Sequence, residues 1–334
     1  MTRYIERALD INGPGLFSKN RKRSTLRWSC LILRVERLRG SRPFLETEMS
    51  AHKITSEIYI ENGCVAGEPE NDVKISEFFF EFPPYTLGRD ARGAELRYDD
   101  DGDLILTRKQ KKKEGKLAIE HRISTELSLV GLQVWRGAFL LADYILSNPQ
   151  SFKQKRVLEL GSGVGLTSIV ASFLASEVIC TDTDVEEILK LIRRNFARNQ
   201  SYVSSKVSVE GLNFLCPNWP RELQRKIDPV DIVLAADVIY DDDITEGFVG
   251  TLERLFNSGF PKVAYVALEK RYVFTVADLD SVAPMYEEFL RCVRRRNHNW
   301  NIEHVATDFP QYFRYDRVDR LILMKIQKGT PTRK

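Results

Sequence analysis

Cysteine is scarce in this chain and follows no pattern. Five occur in 334 residues, at positions 30, 64, 180, 216 and 292, with no C-x-x-C pair. That argues against a disulfide framework or a cysteine-ligated zinc, and predicts reduced thiols in a nuclear or cytoplasmic protein. Histidine is scarcer still, with four residues. His298 and His304 have no metal-ligand partners at workable spacing, so no metal is expected. No apolar run approaches membrane-spanning length and no secretory signal is visible, so no membrane partner is expected. A dominant charge is lacking too. Fifty Lys and Arg against 47 Asp and Glu leave a net +3, too mild to announce direct nucleic-acid binding. What remains, 43% hydrophobic and 29% charged, is an ordinary globular composition. The length suits one large domain with additions.

The chain is organised around Arg156–Thr167, RVLELGSGVGLT. The short apolar run Val157-Leu158 carries an acid at Glu159. Glycines follow at alternate positions, Gly161, Gly163 and Gly165, around Ser162. An apolar stretch of helical length runs from Leu166 to Leu174. Strand, tight turn and helix in this order open a doubly wound sheet and cradle a nucleotide. The nicotinamide fingerprint G-x-G-x-x-G fails at Leu166, and no Lys-Ser/Thr pair makes a P-loop. Glu159 disfavours an anionic ligand and suits a cationic one such as S-adenosylmethionine. A glycine turn that merely packs strand on helix is the plain alternative.

The next turn of the fold adds to the signal. Ser176–Thr181 reads as a second strand with Asp182 at its end, about 20 residues past the loop, where such folds set an acid on ribose hydroxyls. Asp184 is the near rival, and Glu187 three residues later gives it a capping-box reading instead. A helix is expected from Val185 to Asn199. Lys206–Val209 makes a third strand ending near Asn213-Phe214. Asp231–Ala235 makes a fourth and delivers Ala236-Asp237-Val238-Ile239-Tyr240. Ligands gather at strand carboxyl ends in such sheets, so Glu159, Asp182, Asn213 and Asp237 should converge.

These features together carry a resemblance: LQVWRGAFLLADYI (132–145), VLELGSGVGLTS (157–168), ICTDTD (179–184) and AADVIYDDD (235–243). The stretch from about 126 to 327 resembles a class I, seven-strand methyltransferase with a Rossmann-like α/β sheet. More narrowly, it is similar to the methyltransferase-like protein-lysine methyltransferases. The resemblance implies that Trp135, Gly161, Ser162 and Gly163 contact S-adenosyl-L-methionine, with Asp182 on the ribose; Glu159, Asn213, Phe214 and Ala236, at the same strand ends, complete the expected cofactor-binding set. It implies that Asp237 and Tyr240 form the catalytic D-x-x-Y. One departure stands out. The family usually has Leu-Asp-Trp after the third strand, with the Trp against the adenine. Here Leu212-Asn213-Phe214 takes its place; Phe can stack and Asn can bond the adenine amine. The resemblance further implies a monomer acting on a lysine-bearing, non-histone protein associated with nucleic acid, in the nucleus or cytoplasm. Rival readings are a nucleic-acid or small-molecule N-methyltransferase, or an inactive scaffold. Amino-methyltransferases of nucleic acids carry Asn/Asp-Pro-Pro-Tyr/Phe at the fourth strand, and Val238-Ile239 replaces both prolines here.

The remaining chain divides into parts. Residues 1–48 read as a basic, disordered extension, with Met49 as a candidate natural start. Residues 49–126 read as a β-rich element, with strands at 54–60, 78–82 and 103–107 and an acidic turn at 99–102. The tract Arg108–Lys116 reads as a charged hairpin tip or a nuclear address. Residues 127–328 form the methyltransferase domain. Within it Ser128–Leu146 reads as one amphipathic helix bearing Trp135. Asp243 reads as a helix cap, and 301–307 with 320–326 as an antiparallel closing pair. Residues 329–334 are a tail.

Overall fold

A computed structural model describes residues 53–61, 73–84, 113–216, 218–275, 280–296 and 299–329. The expected extension 1–48, the acidic turn 99–102, the strand 103–107, most of the basic tract and the tail past Gly329 lie outside these residues.

Ahead of the main sheet come β1 (Ile54–Thr55), α1 (Glu57–Glu61), β2 (Val73–Glu81), β3 (Glu114–Arg122) and β4 (Ser124–Thr125). β1 pairs with β4, and β2 with β3, both antiparallel. The strand expected over 54–60 therefore stops after two residues. Ile58 and Tyr59 are consecutive and both buried, which a half-buried strand cannot offer but a turn of helix pressed into the core can.

After a 3-10 segment at Leu127–Leu132 the elements are α2 (Arg136–Ser147), α3 (Pro149–Phe152), β5 (Arg156–Leu160), α4 (Leu166–Ala171), β6 (Glu177–Asp182), α5 (Glu186–Arg198), β7 (Lys206–Gly211), α6 (Arg221–Ile227), β8 (Ile232–Ala236), α7 (Asp242–Phe256), β9 (Val263–Glu269), β10 (Val273–Thr275), β11 (Asp280–Val282), α8 (Pro284–Arg295), β12 (Trp300–Val305) and β13 (Leu321–Lys328). Seven strands form one sheet in the order β12-β13-β9-β8-β5-β6-β7. β13 alone runs antiparallel to its neighbours, pairing with β9 and β12. The chain order reverses between β5 and β8, which lie side by side, and that is where such sheets open a ligand crevice.

The strands bury both faces. Alternate residues of one strand face opposite layers: Val157 joins α2, α4 and α5 in one apolar cluster, while Leu158 and Leu160 join α6, α7 and α8 in the other. Phe78, Phe80, Leu117, Ile119 and Ile123 from β2, β3 and the turn after it belong to the first of these clusters. The segment before the sheet thus shares its core rather than building a separate one. Phe80 stacks on Phe313 at 5.1 Å, and Phe139 on Tyr315 at 5.2 Å.

Several local expectations are corrected. The single helix over 128–146 is broken. Leu129 leaves helical geometry, and Gln133 and Trp135 are extended, so α2 begins only at Arg136. Length and composition would let Leu127–Ser147 cross a membrane, contrary to the reading of apolar runs above. The most apolar part of this stretch is mostly buried inside the fold, however. Asp184 does not cap α5, whose N-cap is Val185. A tight turn from the Val185 N–H to the Thr183 carbonyl, 2.7 Å, directs Asp184 towards Gly211 instead. Asp243 does not cap α7 either. The extended residue of the acidic triplet is Asp241, and its carboxylate accepts from the N–H groups of Asp243 and Ile244 at 3.0 and 3.1 Å.

Candidate active site

The glycine turn after β5 is shaped by contacts that exclude side chains. Gly163 has φ +55°, and a Cβ there would stand 2.9 Å from the Gly131 carbonyl oxygen. At Gly161, φ +65°, a Cβ would meet Val238 at 2.7 Å. Both values lie in the left-handed region that glycine enters freely. The turn is tied to β6: the Ser162 N–H donates to the Thr181 carbonyl at 2.9 Å, and the Gly163 N–H to Asp182 Oδ2 at 2.7 Å.

Beside this turn opens a concave cleft. Every residue singled out by sequence lines it: Trp135, Glu159, Gly161, Ser162, Gly163, Asp182, Asn213, Phe214, Ala236, Asp237 and Tyr240. They arrive from the carboxyl ends of β5, β6, β7 and β8 and from the approach to α2. Val130, Gly131 and Ile188 also line it.

Two carboxylates beside the glycine turn are held towards their neutral forms. Burial pushes Glu159 up to about 7, against hydrogen bonds to its charged form from the Ser168, Thr167 and Ser162 hydroxyls. Burial also raises Asp182, opposed by the N–H groups of Gly163 and Thr183. Asn213 is exposed, and its side-chain oxygen accepts the Leu215 N–H at 2.9 Å. Phe214 rests 5.6 Å from Phe248, ring to ring. The Trp135 indole N–H donates to the Val130 carbonyl at 3.0 Å.

Asp237 is the most constrained of the set. Its φ is +53°, an unusual backbone state that Asp tolerates better than most residues. Oδ2 accepts the Gly137 N–H at 2.7 Å, in the first turn of α2, and Oδ1 accepts the Glu269 N–H at 2.9 Å, at the end of β9. Burial lifts its carboxyl to about 6 despite these bonds and the positive charge of Arg271. Tyr240 is half-buried, and burial, then the charges of Asp182 and Asp241, push its hydroxyl above its ordinary value.

A second, smaller cavity shares Val130, Trp135, Asp237 and Tyr240 with the first and adds Ile54, Leu127, Ile239, Glu269 and Arg271. Sequence reasoning missed Glu269 and Arg271. The carboxyl-end rule applied to β9 would have found both. It also missed Gly131, whose backbone abuts Gly163, and for that contact no local signal exists. Under this floor lies a buried ion pair: Arg136 Nη1 meets Glu269 Oε2 at 2.9 Å, each side chain 3% exposed, and Arg320 joins the same carboxylate.

The cleft fits S-adenosylmethionine. A bare glycine edge admits a ligand against the main chain, Asp182 stands where ribose hydroxyls are held, Phe214 offers a flat apolar face, and the acids suit a cationic ligand. Methyltransferase-like protein 22 of Mus musculus is 37% identical over 231 residues, covering 63% of this chain and 58% of its own length. The Homo sapiens protein of that name is 35% identical over 248 residues, covering 68% and 61%. This chain thus spans about three-fifths of the length of these relatives. Protein-lysine methyltransferase METTL21E of Bos taurus is 33% identical over 142 residues, covering 41% of this chain and 47% of its own length. The lysine methyltransferase family profile matches residues 111–284, more than half of the sequence, and the chain belongs to that family.

Proposed function

We propose that this protein is an S-adenosylmethionine-dependent N-methyltransferase acting on a lysine side chain of a non-histone protein. One observation carries the reading: a single cleft joins the glycine turn and Asp182 to Asp237 and Tyr240. When bound, the cofactor supplies an electrophilic methyl group and a neutral thioether as leaving group. The chain's own residues then have two tasks, holding the acceptor in line and keeping water out.

The acceptor amine must arrive neutral. From a reference pKa of about 10.4, neutrality at pH 7 costs roughly 4–5 kcal/mol at 1.36 kcal/mol per unit. A partly desolvated channel lowers that amine pKa. In this reading Asp237 accepts a hydrogen bond from the amine through a lone pair left over from its two backbone bonds. Tyr240 walls the channel and offers its hydroxyl as a second acceptor. Trp135, Glu159, Gly161, Ser162, Gly163, Asp182, Asn213, Phe214 and Ala236 hold the cofactor. The mild net charge and the family resemblance support a protein target over a nucleic acid. In this reading, resting on the family resemblance, it is a monomer working in the nucleus or cytoplasm on a partner associated with nucleic acid, which light scattering and imaging of the tagged protein would check.

The test is to incubate the protein with methyl-labelled cofactor and extract from cells lacking it. Label recovered as methyl-lysine after protein hydrolysis supports the reading. Label in nucleic acid, or no cofactor binding by calorimetry, overturns it.

A further inference from the structure

Arg271, which lines the second cavity, is paired with a residue far away in sequence. Arg271, just past β9, donates to both carboxylate oxygens of Glu57 in α1, at 2.5 and 3.3 Å. Its guanidinium carbon stands 5.3 Å from the centre of the Trp135 ring. The Glu57 and Arg271 side chains remain 30% and 27% exposed, so the pair sits where the cavity meets solvent.

Glu57 is held there by a rigid mount. Gln133 Oε1 accepts the Ser56 N–H at 2.8 Å, and Gln133 Nε2 donates to the Ile54 carbonyl at 2.9 Å and to Thr125 Oγ1 at 2.6 Å. On the far side of Glu57, the Tyr59 hydroxyl accepts the Val134 N–H at 2.7 Å. Ile54, Ser56, Ile58 and Tyr59 are all buried. The segment before the sheet thus forms one wall of the acceptor side of the cleft.

An aromatic face beside a carboxylate suits an amphipathic cation, with its alkyl stem on the ring and its charge at the acid. Arg271 fills that role now, and a lysine side chain has the same chemistry. Resting on the lysine methyltransferase reading, we propose that Arg271 is an exchangeable place-holder: the acceptor lysine enters by displacing it from Trp135 and Glu57, and Glu57 is a positioning residue that receives it as an ammonium, which gives its proton to solvent before the neutral amine reaches Asp237. The pair is mostly covered, so leaving Glu57 without a cation would be costly, whereas exchanging one cation for another keeps the acid paired. Withdrawal of Arg271 would also remove positive charge that now acts on Asp237 and Glu269 at the cavity floor.

The experiment uses the full chain saturated with S-adenosylhomocysteine, with Nα-acetyl-L-lysine methylamide as probe. The Trp135 indole N–H, assigned with Trp135→Phe, is followed by ¹⁵N NMR during the titration. The wild type should show a saturable shift. Glu57→Gln should weaken the probe about fivefold. Arg271→Ala should strengthen it about two- to threefold by removing the competing closed state. Calorimetric affinity for S-adenosylhomocysteine should stay within about twofold in both variants, because neither residue lines the larger cleft. Opposite signs for the two variants are what a mere structural strap would not give. Equal weakening by both, restored in the charge-reversed Glu57→Arg/Arg271→Glu protein, overturns the proposal. So does normal S-adenosylhomocysteine binding with no Trp135 response. Failure to bind S-adenosylhomocysteine at all would instead sink the methyltransferase reading on which this one stands.

Discussion

Replacing Asp237 tests structure and chemistry in one series. Its two oxygens satisfy the Gly137 and Glu269 N–H groups. Asp237→Ala leaves both donors unpartnered, at about 1–3 kcal/mol each. It also places alanine at φ +53°, which costs roughly another 1 kcal/mol. The sum, about 3–7 kcal/mol, corresponds to a melting temperature lower by roughly 6–20 °C for a domain of this size. Asp237→Asn tolerates the backbone and keeps one acceptor oxygen, so about half of that loss is expected. Neither change touches the glycine turn, so calorimetry with S-adenosylhomocysteine on whatever folds should give near-normal affinity. Methyl transfer should fall steeply in both variants, and in the wild type should rise with pH through about 6 as Asp237 ionises. If Asp237→Ala melts within a degree of the wild type, the tying role is wrong. If Asp237→Asn transfers methyl groups at full rate, the carboxylate is not needed for catalysis.

Three other outcomes follow from the geometry. The Glu159 carboxyl is raised in the folded state to about 7 from 4.5. The folded protein then holds a proton that the unfolded chain releases, so this group's stabilising contribution is full below pH 4.5 and lost as pH climbs to 7. At 1.36 kcal/mol per unit that is about 3 kcal/mol, and urea denaturation at pH 5 and 8 should show Glu159→Gln flattening the difference. Gly163→Ala must move the Gly131 carbonyl and hold a strained φ; calorimetry should report at least about a tenfold loss of S-adenosylhomocysteine affinity. Arg136→Met strips a buried partner from Glu269 but leaves Arg320 on the same carboxylate, and denaturant unfolding should show a loss of about 1–3 kcal/mol.

Much of this site was legible because its signals are local. Three alternate glycines, an acid one strand later and Asp237 after the fourth strand are all positions along one chain segment. The parallel core of the sheet follows from the same alternation of strand and helix. The rest depended on distant partners. Nothing near Gln133 says that its amide will hold Ile54 and Ser56, so the helix over 128–146 read as continuous when in fact it breaks there. Ile58 and Tyr59 carry strand propensity, yet the core they meet favours a helical turn. Asp184 and Asp243 matched capping spacing, but a one- or two-residue shift in where the helix begins changes which side chain can reach the free N–H groups. Asp237 was visible as an acid at a strand end, while its positive φ and its grip on two separate elements were not.

The rings of Phe78 and Phe80 pack into the same interior as Phe139 and Phe313. A shortened version starting at residue 127 would uncover that aromatic layer and lose the strands that shield it. Biochemists trimming the gene for expression should therefore cut upstream of Ile54, since a tidier boundary at the sheet would yield a sticky, misassembled product.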